Sequence, residues 1–135
     1  MDVEVGQTLP TKTIHIARAT LVQYAGASLD RNPIHWDERF ATKVGLPDVI
    51  AHGMFTMGSA VTVVSEWAGD AGRIVEYSVR FTKPVVVPYE GGADLVVEGV
   101  VKSVDTEAQR ATVELTATSD GEKVLGRALA VVRID

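Results

Sequence analysis

Residues 53–68 read GMFTMGSAVTVVSEWA and carry a single charge, Glu66, close to the far end. A helix on a protein surface keeps a polar face, so a helix apolar on nearly every side must be wrapped by other structure. The β-branched run Val61-Thr62-Val63-Val64 would also suit a strand, but a continuous apolar segment of this length favours a helix over a strand of about 4–8 residues. The rest of the chain beyond it is sheet material. Residues 73–82, 93–104, 110–119 and 122–132 read as strands, with a turn at 104–108 and a tight hairpin signal at Ser119-Asp120-Gly121. Pro84 and Pro88 fall in the link between strands, where a missing N–H does no harm. Upstream, residues 11–16 alternate like a short half-buried strand, and residues 17–27 read as a helix with Thr20 as a candidate N-cap. Gly26, Asp30, Asn32 and Pro33 break it, and a second short helix is expected over 37–44 with Gly45 as its C-cap. A long antiparallel sheet and one apolar helix have a natural solution: the sheet curls around the helix. The expected fold is α+β, one domain over residues 1–135.

Composition narrows the function classes. At 135 residues the chain is shorter than one average domain of about 150, yet it can bury roughly two-thirds of its unfolded surface. With 46% hydrophobic and 23% charged residues it is not a disordered chain. A net charge of −5 argues against nucleic acid as a partner. The absence of cysteine excludes disulfides, thiolate metal sites and cysteine nucleophiles. The start, MDVEVGQTLP, is acidic and polar where a signal peptide would be basic and then apolar. The longest apolar stretch holds Ser65 and Glu66 and falls short of a membrane span of about 20 residues. The expectation is a soluble, cytoplasmic protein without a membrane partner.

The densest chemical signal is Asp30-Arg31-Asn32-Pro33-Ile34-His35, followed by Ala51-His52-Gly53-Met54 at the start of the apolar segment. The bland reading makes Asp30 and Asn32 an Asx-type turn before Pro33, His35 a packing residue, and His52 a residue that leads into the helix. His15 falls on the polar side of its strand, and Met54, Phe55 and Met57 read as core. The three histidines lie too far apart in sequence to suggest a local ligand motif, so no metal or other cofactor is expected. No Gly-x-Ser-x-Gly elbow occurs, so a serine nucleophile is unsupported.

Taken together, the two motifs resemble the MaoC-like, R-specific enoyl hydratase family of hot-dog proteins. Asp, any residue, Asn, Pro, an aliphatic residue and His are matched from Asp30 to His35, and His-Gly-Met is matched from His52 to Met54. The runs Asn32–Asp37 and Ala51–Met54, with Thr56-Met57-Gly58, are most similar to the branch of catalytic B-type subunits of actinobacterial (3R)-hydroxyacyl-carrier-protein dehydratases. The resemblance implies a hot-dog fold and reversible dehydration of (3R)-hydroxyacyl thioesters, carried on acyl carrier protein or CoA. It implies Asp30 and His35 as the catalytic pair and the Gly53 N–H as the donor to the thioester oxygen. Asn32, Pro33, His52 and Met54 are expected to support the site or line the substrate path. A homodimer, or a heterodimer with a related hot-dog subunit, is implied as well.

The chemistry needs these residue types. Dehydration requires a base for the α-proton and an acid for the departing hydroxyl. It also requires a donor aimed at the developing negative charge, and a helix N-terminus offers unpaired N–H groups and a positive dipole end. Two departures stand out: Leu29 replaces the Gly that many members carry before the Asp, and Gly58 replaces a Ser of some CoA hydratases. Two competing functions remain open from the sequence. A non-catalytic hot-dog partner would typically lack the Asp/His pair. A hot-dog thioesterase would place a carboxylate on or beside the central helix, where this chain has only Glu66 near its far end.

Overall fold

Alternation in the second half of the chain builds the sheet. In the computed structural model, which describes residues 1–135, the elements run β1 (Thr8–Ile16), α1 (Arg18–Ser28), α2 (Glu38–Lys43), α3 (Gly53–Ala68), β2 (Ile74–Phe81), β3 (Ala93–Asp105), β4 (Arg110–Ser119), β5 (Glu122–Lys123) and β6 (Leu125–Arg133). One-turn 3-10 segments sit at Pro33–His35 and Ala71–Arg73. The strands form one antiparallel sheet in the order β1-β3-β4-β6-β2, with β5 attached to β4. Successive side chains of a strand point to opposite faces. Leu95, Val97 and Val101 of β3, Ala111, Val113, Leu115 and Ala117 of β4, and Ala128, Ala130 and Val132 of β6 are therefore buried together.

That inner face closes on α3, which touches β1, β3, β4, β6 and β2. Thr56, Ala60, Val63 and Val64 are its buried residues. Val64 is wholly buried, a burial that contributes about 1.5–3 kcal/mol. Ala60 meets a sheet face that carries four inward alanines, and these small side chains let the sheet curl close to the helix. The Tyr77 hydroxyl of β2 donates to the Met57 carbonyl at 2.8 Å, pinning α3 to the edge strand. Burial pushes that phenol up to about 12.

Local details depart from the sequence reading in four places. Ala17, not Thr20, is the N-cap of α1; Thr20 sits one turn inside, where its Oγ1 accepts the Ala17 N–H at 3.1 Å. Val44 caps α2, and Gly45 comes after it with φ +97. The last strand is split at Val124, whose N–H bonds to Ala117 O and whose carbonyl accepts from Thr82 N. Finally, α3 is not wrapped on every side: Met54 is 62% exposed and Gly58 is exposed. The hairpin forms as expected, because Asp120 and Gly121 both adopt positive φ (+51 and +74) between paired Ser119 and Glu122. No helix is long and apolar enough to cross a membrane.

Candidate active site

Short polar side chains shape the loop after α1. The helix ends at Leu29, which takes a left-handed φ of +64. Asp30 Oδ1 then accepts the Asn32 N–H, and Asn32 Oδ1 accepts the Ile34 N–H, each at 3.2 Å. These are Asx turns, offering the backbone a partner two residues ahead. Pro33 opens the 3-10 turn with its preset φ. The turn carries His35 inward until only 6% of it is exposed. The turn reading of Asp30 and Asn32 is thus correct, and the same turns aim His35.

Inside, the His35 Nδ1–H donates to the Ile50 carbonyl at 2.6 Å. Since one ring nitrogen of neutral imidazole is a donor and the other an acceptor, that bond leaves Nε2 with a free lone pair. Nε2 lies 4.0 Å from Asp30 Oδ2, too far for a direct hydrogen bond. Burial pushes the His35 pKa below its ordinary 6.5; the Ile50 bond opposes that shift, nearby His52 adds to it, and Asp30 opposes it.

His52 is the N-cap of α3 and is 1% exposed. Its ring stacks on His35 with centroids 3.7 Å apart and planes 20° apart. Its Nε2–H donates to the Asp30 carbonyl at 3.0 Å, and the Tyr24 ring meets it edge-on at 4.7 Å. The next residue, Gly53, opens α3, so its N–H has no acceptor within the helix. A Cβ at Gly53 would stand 3.1 Å from Phe81 Cε1 and Cζ; glycine lets the helix start and this ring close together.

His35 and Gly53 face a common cleft of about 390 Å³, walled also by Thr56, Phe81, Lys83 and Val124. Asp30 is not part of the cleft wall; more than half of its side chain is exposed, and it meets the site only through its approach to His35. Asn32 and Pro33 shape the loop without lining the cleft, and His52 lies behind His35. Met54 is outside the cleft wall and turned to solvent, against the expectation that it is core or lines the substrate path. His15 is surface-exposed, with Nδ1 2.8 Å from Asp94 Oδ1.

Three residues were given no role in the site from the sequence. Ile50 acts through its carbonyl, which no side-chain pattern reveals. Phe81 and Thr56 reach the cleft from a strand end and from the second turn of α3. Sequence distance also proved a poor guide to histidine proximity, since one donor atom each of Asp30, His35 and His52 lies within 4.8 Å of the others. His35 Nδ1 and His52 Nε2 are nevertheless bonded to backbone carbonyls.

A sheet curled around one helix, with a buried imidazole and a carboxylate gathered at the helix start, defines a hot-dog domain with its candidate site at that helix start. Residues 2–119 match the family model described as "MaoC like domain", and the chain belongs to that family. It is 37% identical over 102 residues to 3-hydroxyacyl-thioester dehydratase X of Mycobacterium tuberculosis, an alignment covering 69% of this chain and 35% of that protein. It is 31% identical over 134 residues to an (R)-specific enoyl-CoA hydratase of Rhodospirillum rubrum, covering 97% of this chain and 89% of that one. A solved structure called "MaoC-like dehydratase" superposes with a TM-score of 0.97 at 45% identity, over 99% of this chain and 41% of that chain. The chain therefore spans about a third of the M. tuberculosis relative and two-fifths of that solved chain.

Proposed function

We propose that the protein is a hydro-lyase that interconverts (3R)-hydroxyacyl thioesters and trans-2-enoyl thioesters plus water. The observation that carries this reading is the bare His35 Nε2, held by the Ile50 carbonyl 4.0 Å from Asp30 Oδ2, in the cleft that Gly53 also lines. In the dehydration direction, His35 Nε2 takes the α-proton, and the Gly53 N–H donates to the thioester oxygen as negative charge gathers there. The bond between the β-carbon and its hydroxyl breaks, and the proton that His35 has gained passes by way of the Asp30 carboxylate to the leaving oxygen, which departs as water and leaves both groups as they began. The low pKa of His35 suits this role, because a base must be unprotonated at the working pH.

The substrate handle in this reading is acyl carrier protein or CoA, and the pathway is fatty-acid or related acyl-chain synthesis. The working unit is a dimer, with itself or with a related hot-dog chain. Strands β1 and β2 are sheet edges, β2 exposes Val75 and Phe81, and an unpaired apolar edge invites another strand. The greater length of two relatives, in which this chain accounts for 35% and 41%, leaves room for a second such unit. The thioesterase alternative has less support, since Glu66 lies in the last turn of α3 and is paired with Lys12.

Hydration of crotonyl-CoA tests the proposal. Asp30→Asn keeps an oxygen for the Asn32 N–H and should fold normally, yet lose roughly 10²–10⁴ in turnover, as should His35→Ala. Near-wild-type rates in either pure variant would refute the mechanism, and release of free thiol would point to a thioesterase. Because the pair comes from one chain, mixing the two variants should restore nothing; recovery well above either parent would show a shared site.

A further inference from the structure

His52 is used by neither the proton transfers nor the oxyanion contact, yet it is the most deeply buried titratable side chain at the site, at 1% exposure. Its Nε2–H is committed to the Asp30 carbonyl, while its Nδ1 is buried with no hydrogen-bond partner. Of the two tautomers of a neutral imidazole, the surroundings fit the one with hydrogen on Nε2, because hydrogen on Nδ1 would be a buried donor without an acceptor and would break the bond to Asp30. Its ring face supports His35 at 3.7 Å, its Nε2–H holds the backbone of Asp30, and its own carbonyl accepts the Thr56 N–H and Thr56 Oγ1–H within α3.

We propose that His52 is a positioning residue, whose Nε2–H and ring face fix Asp30 and His35 relative to each other while its own Nδ1, buried outside the cleft wall, takes no part in the proton transfers. The inference rests on the dehydratase reading for its consequence, but not for its geometry. The charged or titratable groups around His35 are Asp30 from its own loop, His52 from the start of α3, Tyr24 of α1 behind His52, and Lys83 across the cleft, itself paired with Glu122 at 2.8 Å.

Long-range ¹H–¹⁵N correlation spectra of the full chain, without substrate, read the tautomers directly. At about pH 8, above the ordinary histidine range, His52 should carry hydrogen on Nε2 and His35 on Nδ1. A His52 that carries hydrogen on Nδ1 overturns the proposal whether or not the protein is a dehydratase. An inactive protein with these spectra would instead count against the dehydratase reading alone. Kinetics supply the second arm. His52→Phe keeps a flat face and loses the donor to Asp30, so kcat should fall about 10²-fold from misplacement with KM little changed. His52→Gln, which can still donate to the Asp30 carbonyl, should recover part of that loss. Full kcat in both variants would also overturn the proposal, and if neither variant folds the wild-type spectra decide.

Discussion

Replacing Gly53 by alanine adds one methyl at the start of α3, and its cost can be divided between folding and turnover. The new Cβ would stand 3.1 Å from Phe81 Cε1 and Cζ and 3.4 Å from Cδ1. Carbon atoms prefer about 3.5–4.0 Å, so the ring must retreat by roughly 0.5 Å. Phe81 is 55% exposed and ends its strand, which makes that retreat easy. Alanine gains up to about 1 kcal/mol over glycine in a helix interior and less at its first position. Stability should therefore change by less than about 1 kcal/mol, or about 4 °C in Tm. Turnover should suffer more, because the methyl stands beside the N–H that the thioester must approach. Complete loss of an oxyanion donor costs about 10²–10³ in kcat. That sets the ceiling for the branched Gly53→Val, with Gly53→Ala losing about tenfold. Thermal melts run beside crotonyl-CoA hydration separate the two effects. Wild-type turnover in a cooperatively folded Gly53→Val would refute Gly53 as the donor. Loss of the cooperative melt already in Gly53→Ala would refute the division of costs.

Two further expectations concern titration and backbone strain. Burial lowers the His35 pKa in the folded state, so between that lowered value and 6.5 the unfolded chain binds more protons than the folded one. Stability should be full above about pH 6.5, fall as pH drops through that window, and level off below the folded value; the acid limb of kcat/KM should likewise lie below 6.5. Urea unfolding on both sides of pH 6.5 checks this, and an unchanged pH slope in His35→Gln would contradict it. Leu29 holds φ +64 with 70% of its surface exposed, a conformation that costs a non-glycine residue roughly 1–2 kcal/mol. Leu29→Gly relieves it, less about 0.5–1 kcal/mol of added chain entropy, and should raise Tm by about 2–4 °C; a lower Tm would show that the Leu29 side chain packs against something in the assembled protein.

Much of the fold is legible in the order of the residues. The hydrophobic run 53–68 is a helix with those boundaries, because sixteen residues with one charge outlast a strand and Gly69, at φ +75, stops the helix. The Asp120-Gly121 turn was readable because two positive φ angles suit few other residue pairs. Element ends were less legible. Thr20 has the chemistry of a cap, but at the third helical position its hydroxyl reaches back to the Ala17 N–H instead of covering an N–H ahead of it. Val124 interrupts the last strand because its backbone answers to Ala117 and Thr82 rather than to one neighbour alone. Such choices depend on partners far away in the chain.

The active-site pair shows the same division. The run from Asp30 to His35 determines by itself that a turn forms, since Asx side chains and a proline act on backbone within two residues. It also supplies the carboxylate and the imidazole of the proposed acid–base pair, because those are properties of the side chains. Only the tertiary structure decides that His35 is buried, that the Ile50 carbonyl selects its tautomer, and that Nε2 faces Asp30 at 4.0 Å beside Gly53. It alone brings His52 onto His35 from 17 positions along the sequence. Local sequence acts through bonds a few residues long, whereas a pKa, a tautomer and a stacked ring are set by whatever the packed chain places within a few ångströms.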